Sequence, residues 1–201
     1  MEVFQVMLDL FGGAIISLPL TVVFLLLTDK QRFHKKRILV ILFVLYLNAM
    51  FIIVGVPDVS NIWWHPTFNI IPFSDFSPSN IVGMFLNIAL FIPFGGFITL
   101  YFKEFQKWYK VTVTGFLMSL LIEILQLATY RATDIDDLIM NTLGTIVGYG
   151  IAKTILKNSL EQESKGDKKK LLGMVLLTLM TIIFFRYPFI EYLHTNFAIE
   201  Y

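Results

Sequence analysis

Cysteine is absent from this chain, which rules out disulfides and thiolate metal sites and leaves packing and hydrogen bonds to hold even the exposed loops. Charge is scarce too. Only 15% of the residues are charged against 56% hydrophobic, and the mean hydropathy of +0.71 lies far outside the range of a soluble domain. The lipid bilayer is the natural solvent for such a sequence. Three patterns that would name a chemistry are also missing, since there is no Gly-rich phosphate loop, no HExxH and no Ser-His-Asp arrangement. Internal repeats are lacking, which argues against the inverted-repeat plan of many transporters. The first apolar run is not read as a secretory signal. It has no basic n-region, carries Glu2 and Asp9 at its start, and meets a basic cluster instead of a small-residue cleavage site.

What is present is a set of six long apolar segments, at 6–28, 38–56, 81–102, 111–130, 138–157 and 171–186. A spanning helix needs about 20 apolar residues. The 201 residues therefore fit an all-α polytopic membrane helix bundle of about six transmembrane helices, read as a single membrane domain over 1–201. Of the 16 basic residues, 14 fall in alternate connections: Lys30 to Arg37, Lys103 to Lys110, and Lys153 to Lys170. Cytoplasmic loops retain Lys and Arg. This places the N-terminus, the 57–80 loop, the 131–137 loop and the C-terminus outside, an N-out/C-out arrangement. Basic residues thus serve orientation, and no nucleic-acid partner is expected.

The last span is short. If it continues past Arg186 through Phe189 and Ile190, that arginine has to pair internally or snorkel. In the 57–80 loop, Trp63 and Trp64 read as headgroup-level anchors. The stretch Phe68 to Phe76, broken by Pro72, has the alternative of dipping into the membrane as a re-entrant segment. Ser77-Pro78 reads as an N-cap and first helical residue opening the third helix. His34, His65 and His194 are isolated, and the charged linker Glu161 to Lys170 reads as solvated.

Ionisable and amide groups inside apolar segments are costly and therefore informative. Thr112, Gly115, Ser119, Glu123, Gln126 and Tyr130 form a stripe of small and polar groups on one face of the fourth helix, which belongs in the bundle interior. Asp137, Asn141, Gly144, Gly148 and Ala152 repeat the pattern on the fifth, with Gly144 and Gly148 as a GxxxG contact surface. The third helix adds Asn87. At 1.5 Å of rise per residue, Asn87, Glu123 and Asn141 each lie roughly 5–11 Å inside the outer boundary and can share one layer. The connection from Arg131 to Asp137 adds a guanidinium and three carboxylates just above it. The expectation is an outward-opening polar pocket lined by Asn87, Glu123, Gln126, Arg131, Asp134, Asp136, Asp137 and Asn141.

Each member also has a structural reading. Asp134 and Asp137 suit the N-cap and N3 positions of helix five. Arg131 suits a neutralising partner for Glu123 or an aspartate, and Asn87 and Asn141 suit interhelical glue. Glu123 is the hardest to explain away, because a carboxylate at membrane depth has to protonate or find a partner. Such a cluster suits a divalent cation held by oxygen ligands, a general acid and base, or hydrogen bonds to the sugar and phosphate of a lipid headgroup.

The residues Asn69-Ile70-Ile71-Pro72-Phe73, Asn87 leading to Phe91-Ile92-Pro93-Phe94-Gly95, Ile122-Glu123 with Gln126, Arg131 with Asp134-Ile135-Asp136-Asp137, and Asn141-Thr142-Leu143-Gly144 resemble the VanZ-like family over roughly 69–152. The resemblance implies a bacterial plasma-membrane protein, of a kind associated with resistance to teicoplanin and related lipoglycopeptide antibiotics. It also implies that the family's recurring polar positions fall on the eight residues above. The expected partners are membrane lipids and a lipid-linked cell-wall precursor or lipoglycopeptide. An intramembrane hydrolase or transferase acting on a lipid-linked substrate, and a solute or ion transporter, are the alternatives.

Overall fold

In hydrocarbon a chain satisfies its backbone N–H and C=O groups most simply as a helix, and the long apolar runs of this sequence do so throughout. The computed structural model describes residues 2–28, 36–60, 62–64, 66–129, 131–155 and 168–197. Tyr130, the side chains of the three histidines, and most of the two longest basic connections lie outside the described residues, and so do the expectations attached to them. The protein is all-α: α1 is Glu2–Thr28, α2 Lys36–Ile53, α3 Pro78–Tyr101, α4 Trp108–Gln126, α5 Ile135–Ile155, α6 Lys168–Thr181 and α7 Tyr187–Phe197. A π-turn, Ile182–Arg186, joins α6 to α7, so six helical rods are present among the described residues. Three of them are long and apolar enough to cross a membrane, at Pro78–Tyr101, Trp108–Gln126 and Lys168–Leu193. The chain is a membrane protein. α5 is less apolar than these because it carries the acids of its first turn and a face of Asn, Thr and Gly.

The helices group into two compact units, Met1–Trp63 with Leu172–Tyr201, and Trp64–Leu171. In the first, the Asn48 amide donates to Ser17 Oγ at 2.7 Å, tying α2 to α1, and Gly13 gives it room, since a β-carbon there would lie 2.9 Å from Asn48 Oδ1. The π-turn has a visible use in this unit. A widened turn interrupts the regular backbone ladder, and the Ile183 carbonyl accepts the Val59 N–H at 2.9 Å. Arg186 of the same turn pairs with the buried Asp58. The last helix does run past Arg186, and the arginine pairs internally. Burial pushes the Asp58 carboxyl up, but hydrogen bonds from Ser60 and the charge and hydrogen bond of Arg186 outweigh it and hold the group below the ordinary carboxylate range.

In the second unit α3 packs chiefly on α5 and α4 packs on α5 from another side. The sequence explains the closeness of α3 and α5. A β-carbon on Gly148 would run into the Ile92 carbonyl, one on Gly144 into the Ile88 carbonyl, and one on Gly95 into the Thr145 carbonyl. Backbone meets backbone along the whole contact, which is how helices gain packing energy where no hydrophobic effect separates lipid from side chain. Gly115 lets Thr145 approach α4 in the same way. Phe91, Phe94, Ile98, Phe102, Met118 and Ile122 fill the core around these contacts. α3 opens as its residues dictate, with Ser77 accepting the Asn80 N–H and Pro78 at the first position.

Candidate functional site

The residues marked by the sequence meet at one end of the second unit, where α4 ends and α5 begins. The chain leaves α4 at Gln126, turns, and forms a two-residue strand, β2 (Thr133–Asp134), before entering α5. β2 pairs in parallel with β1 (Phe68–Asn69), in the register Phe68 to Thr133 and Asn69 to Asp134. The Thr133 N–H extends this ladder to the Thr67 carbonyl at 2.9 Å.

Each acid takes a separate task. Asp134 caps α5 by accepting the Asp136 N–H at 2.8 Å, and its other oxygen accepts from the Asn69 amide at 3.0 Å. Capping α5 thus leaves Asp134 an oxygen for the cluster. Asp137, in the first turn, accepts from Asn87 Nδ2 at 2.5 Å, which joins α5 to α3. Glu123 is 3% exposed, and its Oε2 accepts the Asp134 N–H at 3.0 Å while Oε1 has no protein partner. Asp136, 1% exposed, uses one oxygen to accept the Phe73 N–H at 2.8 Å, and its second is likewise without a protein partner. Asn141 donates to Ser119 Oγ at 2.9 Å and keeps its own Oδ1 unmatched. Gln126 is buried, and its carbonyl accepts both the N–H and the hydroxyl of Thr129. Arg131 is exposed at the surface of the cluster, within electrostatic reach of Glu123 and Asp137.

The eight residues thus share one end of the unit but not one contact. Asn87 meets Asp137, Glu123 meets the main chain of Asp134, Asn141 meets Ser119 one turn before Glu123 on α4, and Asp136 faces the 68–76 loop. The divalent-cation option finds no support in this geometry, because among the described residues no three His, Asp or Glu side chains come together as a metal-binding group.

Asn69 and Phe73, which carry part of the sequence resemblance, and Ser119, in the α4 stripe, were not among the eight residues expected here, yet they bond to them. Phe73 carries φ 55°, the one left-handed non-glycine among the described residues. That conformation costs roughly 1–2 kcal/mol without glycine, and here it aims the N–H at Asp136. A signal existed in Pro72, which presets the second position of a turn and leaves Phe73 at the third, where positive φ is common.

Comparison with known proteins covers this segment of the chain. The VanZ/LLP1 family profile matches residues 41–157. The chain belongs to the VanZ/LLP1 family. The match takes in most of α2 as well as the 69–152 stretch that carries the sequence resemblance. Among relatives, Protein VanZ of Enterococcus faecium is 34% identical over 119 residues, spanning 57% of this chain and 69% of that protein. No solved structure matches the chain.

Proposed function

We propose that this VanZ/LLP1 protein is a multi-pass protein of the bacterial plasma membrane that contributes to teicoplanin-type glycopeptide resistance, or to handling of the cell envelope. In this reading the polar end of the second unit faces outward and engages an amphiphile of the outer leaflet, a lipid-linked wall precursor or the lipidated antibiotic. One observation carries the reading. Glu123 and Asp136 are both buried, each is fixed by a main-chain N–H on one oxygen, and each presents a second oxygen that no protein group satisfies. Buried polar atoms are normally paired, so rigid acceptors of this kind suit a ligand that brings hydroxyl or amine donors. Arg131 at the rim suits the phosphate of such an amphiphile.

The test is a susceptibility assay. A susceptible host expressing the chain is expected to gain teicoplanin resistance, and Glu123→Gln or Arg131→Ala protein present at wild-type level in the membrane is expected to return the host to the susceptibility of cells without it. Full protection by both variants discards the reading. A second reading, an intramembrane hydrolase or transferase, draws on the same two buried acids, Glu123 and Asp136, either of which suits a general base through its unmatched oxygen. Turnover of a lipid-linked envelope substrate by the purified protein, lost on Asp136→Asn, would establish it, and its absence across such substrates removes it.

A further inference from the structure

The segment from Phe68 to Asn80 exposes large apolar side chains while its polar groups bond one another. Its apolar side chains point away from the protein: Ile70 is 74% exposed, Ile71 65% and Phe76 68%, with Phe68 and Phe73 beside them. Its polar side chains are hydrogen-bonded within the protein, although Ser74, Asp75 and Ser79 are also exposed. Asn69 donates to Asp134 and accepts from Ser74 at 3.3 Å. Asp75 accepts the Ser77 N–H at 2.8 Å and the Ser77 hydroxyl at 2.9 Å. Ser77 also bonds Ser79 at 3.2 Å, and the Asn80 amide donates to the Asp75 carbonyl at 2.7 Å.

In water such a segment gains little from satisfying itself, because solvent serves its polar groups, while each Å² of outward apolar surface costs about 25 cal/mol. In lipid the balance reverses. Polar groups have to find partners within the protein, and apolar side chains are best turned outward. The position of the segment agrees with this. The β1–β2 ladder and the Phe73–Asp136 bond hold it over the first turn of α5. It then runs directly into α3, a helix long enough to span, whose Val82, Phe85 and Leu86 are outward and apolar. Exposed apolar side chains thus occur on both the span and the loop that leads into it.

We propose that the apolar face of the 68–76 segment is seated in the bilayer at the boundary between the headgroups and acyl chains of the outer leaflet, with Asp75 at headgroup level, and that lipid is the occupant of that face. The carboxylates it covers are then approached sideways from the leaflet. This concerns where the segment sits and holds whatever ligand the acids take, so it stands or falls apart from the resistance reading.

The absence of cysteine gives a clean test. Ile71→Cys in the full chain, labelled with an environment-sensitive fluorophore and reconstituted in phosphatidylglycerol and phosphatidylcholine vesicles, reports its own surroundings. The expected result is quenching by acyl-chain spin-labelled lipid, with aqueous iodide about threefold or more weaker on the label than on the free dye. Iodide quenching equal to that of the free dye, with no effect of spin-labelled lipid, places the segment in water and overturns the proposal. Insensitivity to both quenchers also overturns it, since the face is then covered by protein. Phe76→Cys, on a second outward side chain, provides the same readout if the first variant is poorly inserted.

Discussion

Replacing Gly148 by leucine is expected to cost the folded protein about 3 kcal/mol or more, the range of a severe overpacking change. The first carbon of the new side chain would occupy the place of the Ile92 carbonyl, and the Gly96 nitrogen lies 2.9 Å from the same point. Both obstacles are backbone of α3, so no rotamer change relieves them. Thermal unfolding of the detergent-solubilised protein, followed by size-exclusion chromatography, reads the effect. Gly150→Leu is the matched control, because a β-carbon at Gly150 meets nothing within 4 Å, and its melting is expected to stay at the wild-type value. Equal melting of the two variants would contradict the backbone contact between α3 and α5.

Arg186→Met is expected to be of similar severity in the first unit. Asp58 is 5% exposed and would keep only Ser60 as a partner, and removing one member of a buried ion pair commonly costs about 3–5 kcal/mol. Asp58→Asn combined with Arg186→Met is expected to recover most of that loss, because no charge is then stranded. The pH dependence follows from the lowered carboxyl. Asp58 titrates lower in the folded than in the unfolded chain, so its contribution is complete above the ordinary carboxylate range and is lost as the pH falls through the folded value below it. The difference in melting between wild type and the single variant is therefore constant near neutrality and narrows in strong acid. A gap that widens on acidification would show that the pair is not held as described.

The fold was legible where the chain is long, apolar and uninterrupted. Six apolar runs became six rods, and the Gly144 and Gly148 pair foretold a close helix contact. The identity of its partner was not legible, because Gly95 and the Ile88 and Ile92 carbonyls lie some fifty residues away and leave no periodic mark near α5. Nor was the true length of the last rod. Arg186 and Pro188 end the apolar run, and the Asp58 carboxylate that pairs with the arginine is placed by a distant loop. Among the site residues, Asn87, Glu123 and Asn141 stood out because polar groups at depth are costly. Asn69 and Phe73 carried the family resemblance but were not placed in the cluster, because a two-residue parallel ladder is too short to show alternation and Phe73 contributes a main-chain N–H that any residue type possesses. Ser119 was visible in the polar stripe, yet its match with Asn141 depends on helix rotation, which spacing alone does not set.

The pairing of α3 with α5 past the intervening α4 carries a consequence for biogenesis. A ribosome working at 5–20 residues per second needs roughly 3–10 s to produce the stretch from the end of α3 to the end of α5. Throughout that interval Gly95 and the exposed carbonyls of α3 face lipid or the insertion machinery without their counterpart, while α4 offers only slight contact. The unit therefore matures late and in one step, when α5 arrives, and newly made α3 and α4 are a window in which quality-control proteases have access to an unfinished protein.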